Sequence, residues 1–119
     1  MDQICFVMPL QDGMTDDARA FMRELQTRRA EYEASLQGGG ITKEAWFLTE
    51  IPTGDALVAY MESPDLDRGL TMFAESQEAF DLWFKRRLAE LTGIDLNEPA
   101  EEGLFEVLSS YEAPAGVRS

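Results

Sequence analysis

Residues 43–62, KEAWFLTEIPTGDALVAYME, read outward from a Pro52-Thr53-Gly54 turn almost as a mirror, with Glu44-x-Trp46 on one side and Tyr60-x-Glu62 on the other. Thr, Trp, Phe, Ile, Val and Tyr are frequent on both flanks, as in paired strands, and the Pro-Thr-Gly triplet supplies turn chemistry. A three-residue loop places Glu50 opposite Ala56, Leu48 opposite Val58, Trp46 opposite Tyr60 and Glu44 opposite Glu62. Side chains alternate along strands, so these eight share one sheet face, while Ala45, Phe47, Leu57, Ala59 and Met61 line the other. Both faces therefore carry large apolar residues. One layer of helices covers a single face, and a second copy of the chain is the simplest cover for the other.

The rest of the chain supplies the helices. Ile4 to Leu10 reads as a strand, Gln11-Asp12-Gly13 as a turn, and Thr15 or Asp16 as the cap of a long helix. Ala18, Phe21, Met22, Leu25, Tyr32 and Leu36 recur at helical spacing, with a gap after Leu25 that holds Arg28 and Arg29. Gly38-Gly39-Gly40 follows that helix and so reads as its terminator, not as a phosphate loop. Ser63, Pro64 and Asp65 read as the cap, the first helical position and a first-turn acid of a short helix through Leu66, Leu70 and Phe73. A second segment carries Phe80, Trp83, Phe84, Leu88 and Leu91, and Gly93 closes it. Its Lys85-Arg86-Arg87 run reads as a complement to the helix dipole. An acidic loop, Asn97 to Gly103, precedes a last strand from Leu104 to Tyr111. The order strand, helix, strand, strand, helix, strand predicts one α+β domain over residues 1–112 with a tail at 113–119. Its expected form is ferredoxin-like, a four-stranded antiparallel sheet with two helices on one face.

Composition narrows the function. The 119 residues hold one core, and 45% of them are hydrophobic. Twenty-three acidic residues against ten basic ones leave a net charge of −13, which repels a phosphate backbone and argues against nucleic-acid partners. No apolar run approaches the roughly 20 residues of a membrane span, and Met1-Asp2-Gln3 lacks the charge of a signal peptide. The chain contains no histidine, which removes Ser-His-Asp catalysis, His-ligated haem and the common zinc sites. No cofactor and no metal are expected. Cys5 is the single cysteine and reads as a buried strand residue of a cytoplasmic protein.

The element order, the stretch EAWFLTEIPTGDALVAYME and the later AFDLWFKRRLAELTGIDL together resemble small bacterial proteins of a family of unknown function in the dimeric α+β barrel superfamily. The resemblance spans most of residues 3–112. It implies a homodimer whose sheets face each other, with a pocket between sheet and helices in each protomer. Relatives include cofactor-free monooxygenases, haem enzymes and sugar mutarotases, and their histidine chemistry has no matching position here. The resemblance assigns the apolar face to the dimer and turns Glu44, Trp46, Tyr60 and Glu62 toward the helices.

Two opposed carboxylates repel, and burial raises the proton affinity of one of them, which is how a general acid or base is made. Arg28 lies roughly 12 Å back from the helix end, and Glu44 roughly 10 Å into the next strand. Arg28 or Arg29 is therefore level with the carboxylates and able to neutralise them. Candidate ligand contacts are Arg28, Arg29, Tyr32, Trp46 and Tyr60, and candidate catalytic groups are Glu44, Glu62 and Tyr60. Three classes stay open: a binding protein for a small organic molecule, a cofactor-independent acid–base enzyme of monooxygenase or isomerase type, and a dimeric interaction protein without a ligand. An enzyme of this design needs a cavity touching both carboxylates, a binding protein needs only the cavity, and an interaction protein needs neither.

Overall fold

A computed structural model describes residues 1–98 and 106–114. Strand β1 (Asp2–Pro9) is followed by helices α1 (Thr15–Thr27) and α2 (Arg29–Gly38), strands β2 (Lys43–Ile51) and β3 (Gly54–Ser63), and helices α3 (Leu66–Glu75) and α4 (Ala79–Thr92). The architecture is α+β, with a three-stranded antiparallel sheet in the order β1-β3-β2 and four helices among the described residues. The expected fourth strand does not form over residues 106–111, which are exposed and irregular, while Leu104 and Phe105 lie outside the described residues. The same holds for residues 99–103 of the acidic loop and 115–119 of the tail. The Gln3 side chain reaches this segment and donates to Ser110 Oγ at 2.8 Å; Gln3 lies on β1, an edge strand of the sheet among the described residues.

The expected single first helix is two helices. Arg28 leaves helical geometry at φ −108° and ψ 33°, and this break falls within the gap of the apolar stripe, between Leu25 and Tyr32. The caps also differ from expectation. Met14 precedes α1 without a side-chain cap bond, and the Thr15 hydroxyl instead donates to Asp55 Oδ2 at 2.7 Å. Asp65, not Ser63, caps α3 by accepting the Arg68 amide. Gly93 ends α4 in the left-handed region as expected, its amide bonded to the Ala89 carbonyl.

The hairpin register is the decisive correction. Gly54 has φ +133°, a value L side chains rarely adopt, and pairs with Ile51 as a strand residue. The loop shrinks to Pro52-Thr53, so Glu44 opposes Met61 and Trp46 opposes Ala59. A one-residue slip exchanges faces along the strand. Trp46 therefore shares a face with Leu57, Ala59 and Met61, and β1 adds Phe6 and Met8 to it. The helices pack on this face. Phe21, Leu25, Leu88 and Leu91 are buried there, and Phe84 lies within 5.3–6.5 Å of the rings of Phe21, Tyr32, Trp46, Phe73 and Phe80. The other face carries Cys5, Val7, Phe47, Tyr60 and Glu62, and Val7 and Phe47 are 54% and 55% exposed. Cys5 is exposed, against the expectation of a buried thiol, because its odd position on β1 points away from the helices.

Lys85 was expected to serve the dipole of its own helix. It is instead 2% exposed in the middle of α4, and its Nζ donates to the carbonyls of Phe73, Ala74 and Ser76 at 3.0–3.1 Å. The ammonium thus bonds the carbonyls at the end of α3, where the negative pole of that helix lies. Beside it the buried Asp81 accepts from Ser35 and Ser76, linking α2 and the α3–α4 turn to α4.

Candidate functional site

Glu44 lies on the same, helix-facing side of β2 as Trp46. Two donors converge on one oxygen of the half-buried Glu44. Trp46 Nε1 donates to Oε1 at 2.7 Å, and the Tyr32 hydroxyl donates to the same atom. The indole comes from two residues along the same strand, and the phenol comes from α2, seated against Phe80 and Phe84. Oε2 receives no hydrogen bond from any described residue, and it is not sealed from solvent.

Burial is the main influence on Glu44 and raises its proton affinity; the bonds donated by Tyr32 and Trp46 act the other way. Tyr32 is pushed up as well, first by burial and then by the charge and acceptance of Glu44, so its hydroxyl stays protonated and acts as a fixed donor. Among the described residues no cation forms an ion pair with Glu44.

Above this carboxylate lies a cleft of about 480 Å³ between the α1–α2 segment and the start of β2. Met22, Leu25, Leu36, Ile41 and Trp46 give it apolar walls, and Gln26, Arg29, Glu33, Thr42, Lys43 and Glu44 supply its polar groups. Of the residues expected at a site, the structure brings together Arg29, Tyr32, Glu44 and Trp46. Arg29 does not neutralise Glu44, because its guanidinium is held by Glu33 and Gln26, each at 2.9 Å. Arg28 is also elsewhere, paired with Glu24 and lying 4.2 Å over the Trp83 ring.

Tyr60 and Glu62 stand on the opposite sheet face, so the expected Glu44–Glu62 pair does not exist. There the Tyr60 hydroxyl is 2.7 Å from Glu62 Oε2 and 2.9 Å from Gln3 Oε1. Sequence reasoning missed Met22, Leu36 and Ile41 as cleft walls, although Met22 and Leu36 were visible in the helical stripe. That no described cation pairs with Glu44 carried no signal in the sequence, since two arginines stand at the right level along the chain.

Fold and site together define a small α+β domain with an amphipathic cleft between sheet and helices and a carboxylate at its base. The chain belongs to a family of unknown function, DUF6176, whose profile matches residues 1–108. No curated protein and no solved structure gives a match to the chain. No helix among the described residues is long and apolar enough to cross a membrane.

Proposed function

We propose that this chain is a small-molecule-binding homodimer and that the Glu44 cleft is its ligand site. The observation that carries the reading is the asymmetry of one carboxylate that lines the cleft: Oε1 is fixed by two donors, while Oε2 receives none from any described residue. Ligand pockets commonly occupy about 300–1,000 Å³ and combine apolar walls with a few placed polar groups, and the cleft of about 480 Å³ has that make-up. It touches Glu44 and not Glu62, which favours binding over the two-carboxylate chemistry.

The dimeric part of the reading rests on the open sheet face, where Val7 and Phe47 expose apolar surface that a second copy would cover. An arrangement of the dimeric α+β barrel kind is supported by the order β1-β3-β2, which leaves a place for a fourth strand beside β1, and by Ser110 meeting Gln3 there. A cytoplasmic setting fits the exposed, unpaired thiol of Cys5.

The experiment is a thermal-shift screen of small metabolites against the wild-type protein and Glu44→Gln. Compounds that stabilise only the wild type support the site, and a screen whose hits stabilise both equally contradicts it. Acid–base catalysis by Glu44 alone is a second reading, favoured by the effect of burial on its proton affinity. It requires a hit to be turned over by the wild type and left unchanged by Glu44→Gln.

A further inference from the structure

Resting on the ligand-site reading above, we infer that the Glu44 cleft selects an ammonium-bearing molecule with an apolar body over the corresponding alcohol or carboxylic acid. Four observations converge on this chemistry. First, Glu44 lacks an ionic partner among the described residues, although Arg29 lines the same cleft. A half-buried carboxylate without a countercharge is unfavourable, and a ligand cation supplies what the protein withholds.

Second, two cations line the cleft: Lys43 stands opposite Glu62 on the other sheet face from Glu44, and Arg29 is already used. Arg29 gives its guanidinium to Glu33 and Gln26, so a ligand anion would displace an existing pair instead of completing an empty one. Third, both donors to Glu44 fall on Oε1, and an ionised Oε2 can only accept. The group that meets it must donate, and an ammonium offers up to three N–H bonds with charge assistance. Fourth, the net charge of −13 draws cations toward the molecule and repels anions before contact. Met22, Leu36 and Trp46 then receive the hydrocarbon part.

The test holds the hydrocarbon constant and changes the head group. Hexylamine, 1-hexanol and hexanoic acid are titrated by calorimetry into wild type, Glu44→Gln and Glu62→Gln. Glu62→Gln removes the same formal charge from the opposite sheet face and serves as the control for diffuse attraction. The expected result is hexylamine binding at least tenfold tighter than 1-hexanol in wild type and in Glu62→Gln, with hexanoic acid weakest. In Glu44→Gln the amine should lose that advantage while 1-hexanol binding persists.

Met22→Trp, which fills the cleft, should abolish binding of all three and so locates the event. Equal binding of amine and alcohol in wild type overturns the inference but leaves the ligand site standing. An amine preference that falls equally in the two Gln variants overturns it in the same way, because the attraction is then diffuse. Binding of none of the three overturns both the inference and the site reading.

Discussion

Two carboxylates of this hairpin each meet a tyrosine, and the sheet separates them. Glu44 lies under the helices, accepts from Tyr32 and Trp46, and has its proton affinity raised by burial. Glu62 lies on the open face beside Tyr60, where the main effect is on the phenol: the bond to Glu62 makes the Tyr60 proton harder to remove. The same two residue types thus meet under different conditions on the two faces. What differs is the cover. Helices desolvate one pair, so burial is the first cause of the rise at both Glu44 and Tyr32, while in the other pair the bond to Glu62 is the first cause of the rise at Tyr60.

The contrast between the faces is broken most strongly by removing their aromatic residues. Phe84→Ala should destabilise the fold by about 3–5 kcal/mol in denaturant unfolding, because its ring meets five others at the centre of the helix-facing core. Phe47→Ala on the open face should change the folding of a single chain by no more than about 0.5 kcal/mol. Comparable losses at the two positions would mean that the open face is not open. Under the dimer proposal, Phe47→Glu should yield a folded monomer in light scattering. A dimer that survives this change would remove Phe47 from the interface.

A second test concerns the buried charges. Lys85→Met should destabilise by about 3 kcal/mol, the upper end for leaving a buried acceptor without its donor, since the Ala74 carbonyl loses its donor and those of Phe73 and Ser76 each lose one of two. The third concerns close packing. A Cβ on Gly69 would stand 2.5 Å from the Gly39 carbonyl oxygen, whereas one on Gly39 would find ordinary contact at 3.6 Å. Gly69→Ala should therefore cost about 1–3 kcal/mol in the same measurement, and Gly39→Ala distinctly less.

The smallest effect belongs to Glu44 itself. A carboxyl group whose proton affinity is raised on folding contributes its stability below the ordinary carboxylate range and loses it as pH rises through the folded value. Gln cannot ionise, and its oxygen can still accept from Tyr32 and Trp46. Thermal unfolding of Glu44→Gln and wild type should therefore coincide at acid pH, with the variant becoming the more stable as pH rises. A variant that is less stable at neutral pH would contradict the desolvated site.

The helices α3 and α4, the two strands of the hairpin and most core residues were legible because apolar spacing and the Gly93 stop act locally. The face assignment was not. It depended on whether Gly54 belonged to the loop or to the strand, a choice set by one backbone dihedral, and every side chain of the hairpin followed that choice. The arginines illustrate a second limit: chain distance set the level of Arg28 and Arg29, but the break at Arg28 and the neighbouring Glu24, Glu33 and Gln26 decided where their guanidiniums went. Lys85 is the third case. Its partners are carbonyls of another helix, and a sequence gives no view of them.

The central claim is that Glu44 is a desolvated carboxylate without a countercharge among the described residues, in the cleft proposed to bind a ligand. The most direct measurement is a carbon-detected NMR titration of the Glu44 side-chain carboxyl in the ligand-free protein, assigned with Glu44→Gln. The midpoint should lie above the ordinary glutamate range and fall when hexylamine is bound, because an adjacent cation favours the ionised form. A midpoint at or below the ordinary range in the free protein would mean that water or an unseen cation already satisfies Glu44, and the account of the site would fail.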